Sequence, residues 1–443
     1  MTSFIALADE LARAIGEGRL QAGERLPPQR AYADRRGIAI STASRVYAEL
    51  IRRGLVTGEV GRGTFVRNAS PNPDLALTQV ASEPVDLELN VAVLPGQAAR
   101  MLHALSALHH REGLERALLP VGPTVNGLFR RHASRLLSRA GWSPDPDAIL
   151  VCGSGKQSIA AALASVARAG DRVGVEALTY PVTKAIAVQL GITLVPIGMD
   201  DEGLEPQALA RAHRNASLKA VYLQPSLQNP LGSCMSAARK RAIAEVLSAC
   251  GIVAIEDAVY AFLAGEKPLA AFAPEHVILV DSLSKRVAPG LSVGFIVPPA
   301  RWKEEVSRAL LSGAWNASGF AVAAVSQLMA DRCIEEIQSS KRADAARRQA
   351  VARKLLRDVD VRGDARSYHL WLELPEPWRA EQFVSAAARR GIAILPASVF
   401  TVGAGHAPNA VRLALAAPPL AIVEDALATL AELLRTGGHR LLE

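Results

Sequence analysis

Residues 278–298 read ILVDSLSKRVAPGLSVGFIVP, and the fold of the larger part of the chain follows from them. The run Val277-Ile278-Leu279-Val280 is apolar throughout and predicts a buried strand. A polar turn, Asp281-Ser282-Leu283-Ser284, leads to Lys285. Pro289-Gly290 then breaks the chain, and 293–297 predicts a second strand. An amine just past a buried strand is partly withdrawn from water. That disfavours its charged form and suits it to condense with an aldehyde. Lysine is scarce here: the chain has nine, and the first 155 residues have none.

From about Asp86 onward, strand-like runs alternate with longer helical stretches. The runs are 148–151, 172–175, 220–223, 253–255 and 277–280, while 158–169 and 237–250 have helical composition. This alternation predicts an α/β fold with a mostly parallel sheet. In such sheets ligands lie beyond the carboxyl ends of the strands. After Val151 comes Cys152-Gly153-Ser154-Gly155-Lys156-Gln157-Ser158, small residues opening a helix whose backbone amides can cradle a phosphate. It is not a nucleotide P-loop, which needs glycine where Leu150 stands and Ser or Thr where Gln157 stands. After Val175 comes Tyr180, an aromatic able to stack on a ring. After Leu223 comes Asn229-Pro230-Leu231-Gly232. After Ile255 come Asp257 and Tyr260, and after Val280 come Ser282, Ser284 and Lys285.

Together these groups fit pyridoxal 5'-phosphate (PLP). Lys285 would hold the aldehyde as an internal aldimine, and Asp257 would pair with the pyridinium nitrogen and keep it protonated. Asn229 and Tyr260 would hydrogen-bond the ring hydroxyl. Gly155, Lys156, Gln157, Ser282 and Ser284 would surround the phosphate. Each residue alone is commonplace at a turn or strand end; their joint order and spacing are not. The motifs Asn229-Pro230-x-Gly232, Asp257-x-x-Tyr260 and Ser282-x-Ser284-Lys285 resemble those of fold-type I aminotransferases, over roughly residues 86–430. The resemblance implies a mostly parallel sheet with a smaller C-terminal α+β part. It also makes Arg412, read as standing just before a strand, the arginine that grips a substrate carboxylate. From the residues alone, Arg412 reads equally well as half of a structural ion pair. Two positions depart from the family pattern. Pro289-Gly290-Leu291-Ser292 ends in serine where the family has a phosphate-binding arginine. No tyrosine stands near Val121, where the family has one that reaches the neighbouring subunit's phosphate. Lys156 or Arg286 is expected to replace the missing cation.

The first 68 residues follow another pattern. Phe4, Ala8, Leu11 and Ile15 share one helical face. Pro28 suits the first turn of a second helix, which runs to about Arg36 and stops at Gly37. Ser41 and Thr42 offer hydroxyl caps to a third helix beginning at Ala43. Its buried stripe is Ala43, Val46 and Leu50, with Thr42, Arg45, Glu49 and Arg52 opposite. Short strands are predicted at 55–57 and 64–66, around a tip that carries Arg62. Helix, helix, turn, helix, hairpin is the order of a winged helix-turn-helix. Donors at the start of the third helix can bind a phosphate. Arg45, one turn on, can reach a guanine edge, and Arg62 can enter a minor groove. The stretch RLPPQRAYADRRGIAISTASRVYAELIRRGLVTGEVGRGTFV, residues 25–66, resembles the DNA-binding domain of the GntR family. That resemblance implies that Arg30, Ser41, Thr42, Arg45, Arg62 and Gly63 face DNA.

Charge agrees with this placement. Residues 1–68 carry eleven Arg against seven Asp plus Glu, an excess of four out of the chain's net +7. Such an excess favours an anionic partner at that end. Residues 69–85 read as a linker rich in Pro, Ser and Ala, leaving domains at 1–68 and 86–443. Cys152, Cys234, Cys250 and Cys333 are too far apart to form a metal-ligand pair, so no metal is expected and a reduced, cytoplasmic, nucleoid-associated setting is. No apolar run approaches the roughly 20 residues that span a bilayer.

A GntR-like reader joined to an aminotransferase-like body resembles the MocR subfamily of transcription regulators. The resemblance implies a head-to-tail homodimer on paired half-sites of double-stranded DNA, with PLP itself or a small amino compound as the signal. A ligand that favours one arrangement of the parts shifts DNA affinity by its differential binding. The first reading is a PLP-dependent DNA-binding regulator that senses PLP, an amino compound or both through Lys285, with Arg412 on the effector's carboxylate. The alternative is an active aminotransferase with an accessory DNA-binding domain. Against it stand the missing phosphate arginine and the intact reader. A third reading is a regulator that has lost the cofactor.

Overall fold

The apolar face of the first helix closes against two further helices. A computed structural model describes residues 4–17, 19–21, 23–52, 55–59, 63–66, 83–105, 114, 115, 117–403 and 407–440. It divides into two units: Met1–Leu89 with Val351–Arg362 and Leu370–Glu443, and Asn90–Ala350 with Gly363–His369. In the first unit, α1 (Phe4–Gly16), α2 (Gln29–Arg36) and α3 (Ile40–Arg52) enclose Leu7, Ala8, Leu26, Val46 and Leu50. Val46 and Leu50 are fully buried, each contributing about 1.5–3 kcal/mol. Gly37 ends α2 with a φ of 60°, the left-handed value that suits a helix stop. Tyr47 on α3 donates its hydroxyl to the Pro27 carbonyl at 2.5 Å and meets the Tyr32 ring edge-on at 5.6 Å, tying α3 to α2. β1 (Val56–Glu59) and β2 (Gly63–Val66) pair as the wing. Main-chain bonds from Gly23 to Val66 and from Leu26 to Thr64 extend it. One expectation is corrected here. α3 begins at Ile40, because the Thr42 and Ala43 amides bond the Ala39 carbonyl. Ser41 and Thr42 therefore sit inside the first turn and do not precede it.

β3 (Val85–Asp86) follows at the end of the expected linker. The second unit is built on β4 (Leu150–Cys152), β5 (Arg172–Glu176), β6 (Thr193–Ile197), β9 (Ala220–Leu223), β10 (Val253–Asp257), β11 (Val277–Ser282) and β12 (Gly294–Val297). A small hairpin, β7 (Met199–Asp200) with β8 (Gly203–Leu204), stands apart. The seven strands lie in the order β4-β12-β11-β10-β9-β5-β6. β12 runs antiparallel to both neighbours, and the other pairs are parallel. Every residue of β9, β10, β11 and β12 is buried, as expected of strands covered on both faces. β12 fits between its neighbours because of Gly294. A Cβ there would lie 2.4 Å from the Ser154 carbonyl oxygen and 2.7 Å from the Cys152 sulfur, a close approach that glycine permits.

The C-terminal part of the first unit holds β13 (Val361–Arg362), all of β14 (His369–Glu373) but its first residue, β15 (Ile392–Ala393), β16 (Leu395–Pro396) and β17 (Ala410–Ala414). Four of them form a sheet in the order β13-β14-β17-β16, and β15 pairs with β3 in parallel. The helices Ala380–Arg389 and Leu420–Arg440 cover this region through Phe383, Leu427 and Leu430. Among the described residues, no helix is long and apolar enough to cross a membrane and no cluster could hold a metal ion.

Candidate cofactor site and DNA-facing surface

Strand register decides which loop residues meet. Asp257 on β10 aligns with Val280 on β11, Ser282 aligns with Gly294 on β12, and Gly294 aligns with Cys152 on β4. Asp257, Ser282 and the turn after Cys152 therefore stand along one edge of the sheet, at the carboxyl ends of their strands.

At one end of that edge two turns touch. Ser154 caps the helix Gly155–Val166, its hydroxyl accepting the Gln157 amide at 3.2 Å. Ser282 takes the Ser284 amide at 3.3 Å and lies 2.7 Å from the Ser284 hydroxyl. A Cβ on Gly155 would fall 2.8 Å from the Ser282 hydroxyl, so glycine keeps this approach open. Gln157 turns a buried, unpartnered Oε1 inward, while Lys156 is exposed. The expected role of Arg286 as the substitute cation is corrected. Its guanidinium is buried against Asp281, at 3.1 and 2.5 Å, and against Gln338 at 2.8 Å. A buried carboxylate left unpaired is costly, and Arg286 is committed to preventing that. Lys156 alone remains of the two candidates.

Further along the edge, Asp257 is buried and accepts from the Tyr222 hydroxyl at 2.6 Å, Gln224 Nε2 at 2.9 Å and the Val259 amide at 3.1 Å. Burial pushes its carboxyl up, and the Tyr222 hydrogen bond pulls it back. Gln224 also accepts the Asn229 amide at 3.0 Å, so one side chain joins Asp257 to Asn229. Glu176, fully buried at the end of β5, holds the same turn by accepting from the Gln224 amide and from Gln228 Nε2, each at 3.2 Å. Burial pushes Glu176 up to about 8, so it keeps its proton at neutral pH. Tyr180 stands half-buried just before the helix Pro181–Gln189.

Lys285 is half-buried, with Nζ donating to the Asn90 carbonyl at 2.7 Å and lying 6.0 Å from the Tyr260 ring. Asn90 Nδ2 reaches the Tyr260 hydroxyl at 2.9 Å and His369 Nδ1 at 3.1 Å. Behind Lys285, the buried Lys341 donates to the carbonyls of Lys285 at 2.8 Å and Val287 at 2.6 Å. Burial lowers Lys341 to about 7. Sequence reading found neither Asn90, His369, Glu176 nor Lys341. Asn90 lies 195 residues from Lys285 and 279 from His369, and no local spacing marks such partners.

The edge thus offers an amine, a carboxylate whose hydrogen-bond donors are all neutral, and a hydroxyl-lined helix start that excludes a Cβ. An aldehyde suits the first, a cation the second and a phosphate the third. The residues fit PLP.

In the first unit, Arg412 lies in the middle of β17, which corrects its reading as a residue before a strand. It is buried, donates to the Glu88 carbonyl and stacks over Phe400 at 5.3 Å. On the helix-turn-helix, Arg30, Ser41 and Arg45 are exposed and Thr42 is half-buried. The Arg45 guanidinium sits 4.0 Å over the Phe4 ring. Gly63 opens β2 at a φ of 126°, where a Cβ would meet Arg25 Nε at 2.6 Å. Arg62 lies outside the described residues.

Known proteins match both parts. Residues 86–430 match the aminotransferase class I and II family, and residues 6–66 match the bacterial regulatory proteins of the gntR family. YdeF of Bacillus subtilis, an uncharacterized HTH-type transcriptional regulator, is 33% identical over 94% of this chain and 90% of its own. PtsJ of Salmonella typhimurium, a vitamin B6 salvage pathway transcriptional repressor, is 26% identical over 85% of this chain and 87% of its own. A kynurenine aminotransferase of Pyrococcus horikoshii has the same fold as the larger part, with a TM-score of 0.73 at 20% identity over 81% of this chain and 92% of that one.

Proposed function

Because the chain belongs to the MocR-type HTH transcriptional regulators, a GntR reader fused to an aminotransferase-like domain, we propose that it binds operator DNA under the control of PLP held at Lys285. The observation that carries this is Asp257. A buried carboxylate whose hydrogen-bond donors are all neutral, one strand from the Lys285 turn, meets the need of a protonated pyridine. When bound, the cofactor supplies an aldehyde and an electron-withdrawing ring. Lys285 provides the amine that joins it. Asn229 and Tyr260 orient its ring oxygen, and Tyr180 supports the ring. Gly155, Lys156, Gln157, Ser282 and Ser284 hold its phosphate. Likeness to a vitamin B6 salvage repressor supports a B6-linked signal. A small amino compound displacing Lys285 is the second half of that signal, with Arg412 for its carboxylate.

The domains assigned are a reader at 1–68, a linker at 69–85 and a body at 86–443, in a cytoplasmic, head-to-tail homodimer. Exposed Leu102, Leu118, Leu119 and Leu128 support a surface that a second copy covers. Arg30, Ser41, Thr42, Arg45, Arg62 and Gly63 are the DNA-facing residues. Fluorescence anisotropy on the DNA upstream of the protein's own gene tests the whole proposal. PLP should change affinity several-fold for the native chain and leave Lys285→Ala unchanged. An equal response in Lys285→Ala would overturn it. Rapid multiple turnovers with common amino donors would instead make the protein an aminotransferase.

A further inference from the structure

Hydrogen-bond polarity fixes what Asn90 does. The Gln228 carbonyl can only accept, so His369 Nε2, 2.9 Å away, carries a proton. In the neutral ring Nδ1 is then an acceptor. It lies 3.0 Å from the Ser367 hydroxyl and 3.1 Å from the Asn90 side-chain amide. Asn90 must present its NH2 end there, and the same nitrogen reaches the Tyr260 hydroxyl at 2.9 Å. Asn90 Oδ1, the other end of the amide, is buried with no donor. His369 is fully buried and packs 5.5 Å from the Tyr260 ring, so solvent does not scramble the chain of bonds. The Tyr260 oxygen accepts from Asn90, and its own proton is therefore directed elsewhere.

We propose that Asn90 and His369 are positioning residues, holding the Tyr260 hydroxyl as a donor toward the ring oxygen of the cofactor. This rests on the PLP assignment above, whereas the order of bonds from Gln228 to Tyr260 does not. Asn90→Asp reverses the polarity at almost unchanged shape, because a carboxylate can only accept and Tyr260 must turn its proton to it. A donor to the ring oxygen favours that oxygen's ionised form. Losing it should raise the pH midpoint of the visible band of PLP-loaded full-length protein by about one unit, tenfold in proton affinity. A new negative charge would raise the midpoint too, so the cycle is closed in Tyr260→Phe. The Asn90→Asp shift should shrink to half or less in that background. An equal shift in both backgrounds would overturn the proposal. The second measurement needs no cofactor. In full-length protein labelled with 15N-histidine, with His369 assigned through His369→Gln, the ring should be the neutral Nε2–H tautomer at pH 7. A proton on Nδ1 would overturn the proposal even if PLP binds. Absence of any visible band with PLP would sink the cofactor assignment and the role toward the ring oxygen with it, while the tautomer would still decide the order of bonds from Gln228 to Tyr260.

Discussion

Replacing Asp257 by Asn removes one charge from the site without changing its shape. The carboxyl is buried among donors from Tyr222, Gln224 and Val259, all neutral, and burial pushes it up. A protonated pyridine nitrogen is the partner that would hold it ionised. Truncating one side of a buried, hydrogen-bonded charge pair costs about 2–5 kcal/mol. At about 1.4 kcal/mol per tenfold, Kd for PLP should rise about 30- to 4,000-fold. Thermal stability should show the same loss. With PLP at about 100 times the native Kd, binding adds about 2.7 kcal/mol to the native protein. A 100-fold weaker variant keeps only about 0.4 kcal/mol at that concentration. Spectral titration gives Kd, and calorimetry with and without PLP gives the stability increment. If the Asp257→Asn Kd stays within about threefold of native, Asp257 does not face the pyridine nitrogen and the placement of the ring is wrong.

Gly294→Ala should destabilise the chain by about 1–3 kcal/mol in urea unfolding and weaken PLP binding, since the Ser154 carbonyl must move. Normal stability with normal binding would show that β4 and β12 have slack. Lys341 gives a pH signature. Its folded value, lowered to about 7 from 10.5, means the unfolded chain binds the proton more readily between those limits. The contribution of Lys341 to stability therefore rises with pH from about 7 upward, and below 7 its full penalty is present. Lys341→Met should flatten the stability curve between pH 7 and 9; native and variant curves that run parallel would contradict this. Arg45→Ala should cost about 1–3 kcal/mol in operator binding and relax sequence preference with an unchanged salt slope. A slope lower by about one, with preference intact, would place Arg45 on a phosphate instead.

Much of the site could be read from the sequence because its residues sit just past strands. Asp257, Ser282 and Lys285 each follow a buried apolar run, and the parallel register carries them to one edge. The direction of β12 leaves no such mark. Its residues read as a strand, but neither its direction against both neighbours nor the close approach of Ser154 that Gly294 permits is marked by local sequence, since both are matters of tertiary packing. Strand β6 was missed because it is only partly buried and its polarity alternates weakly. Arg286 looked available because it adjoins Lys285, yet a four-residue helix turns neighbouring side chains to different sides, and Asp281 captures it. Ser41 and Thr42 looked like caps because hydroxyls favour that position, but the Ala39 carbonyl starts the helix first. Asn90 and His369 meet Tyr260 only through the tertiary fold, where no spacing rule reaches them.

Borohydride reduction of the PLP-saturated protein, followed by peptide mass mapping, is the most direct check on the amine at the centre of the site. A single pyridoxyl group on the peptide containing Lys285 is expected, and none in Lys285→Ala. A pyridoxyl group on another lysine, or none from saturated native protein, would contradict the assignment of that amine.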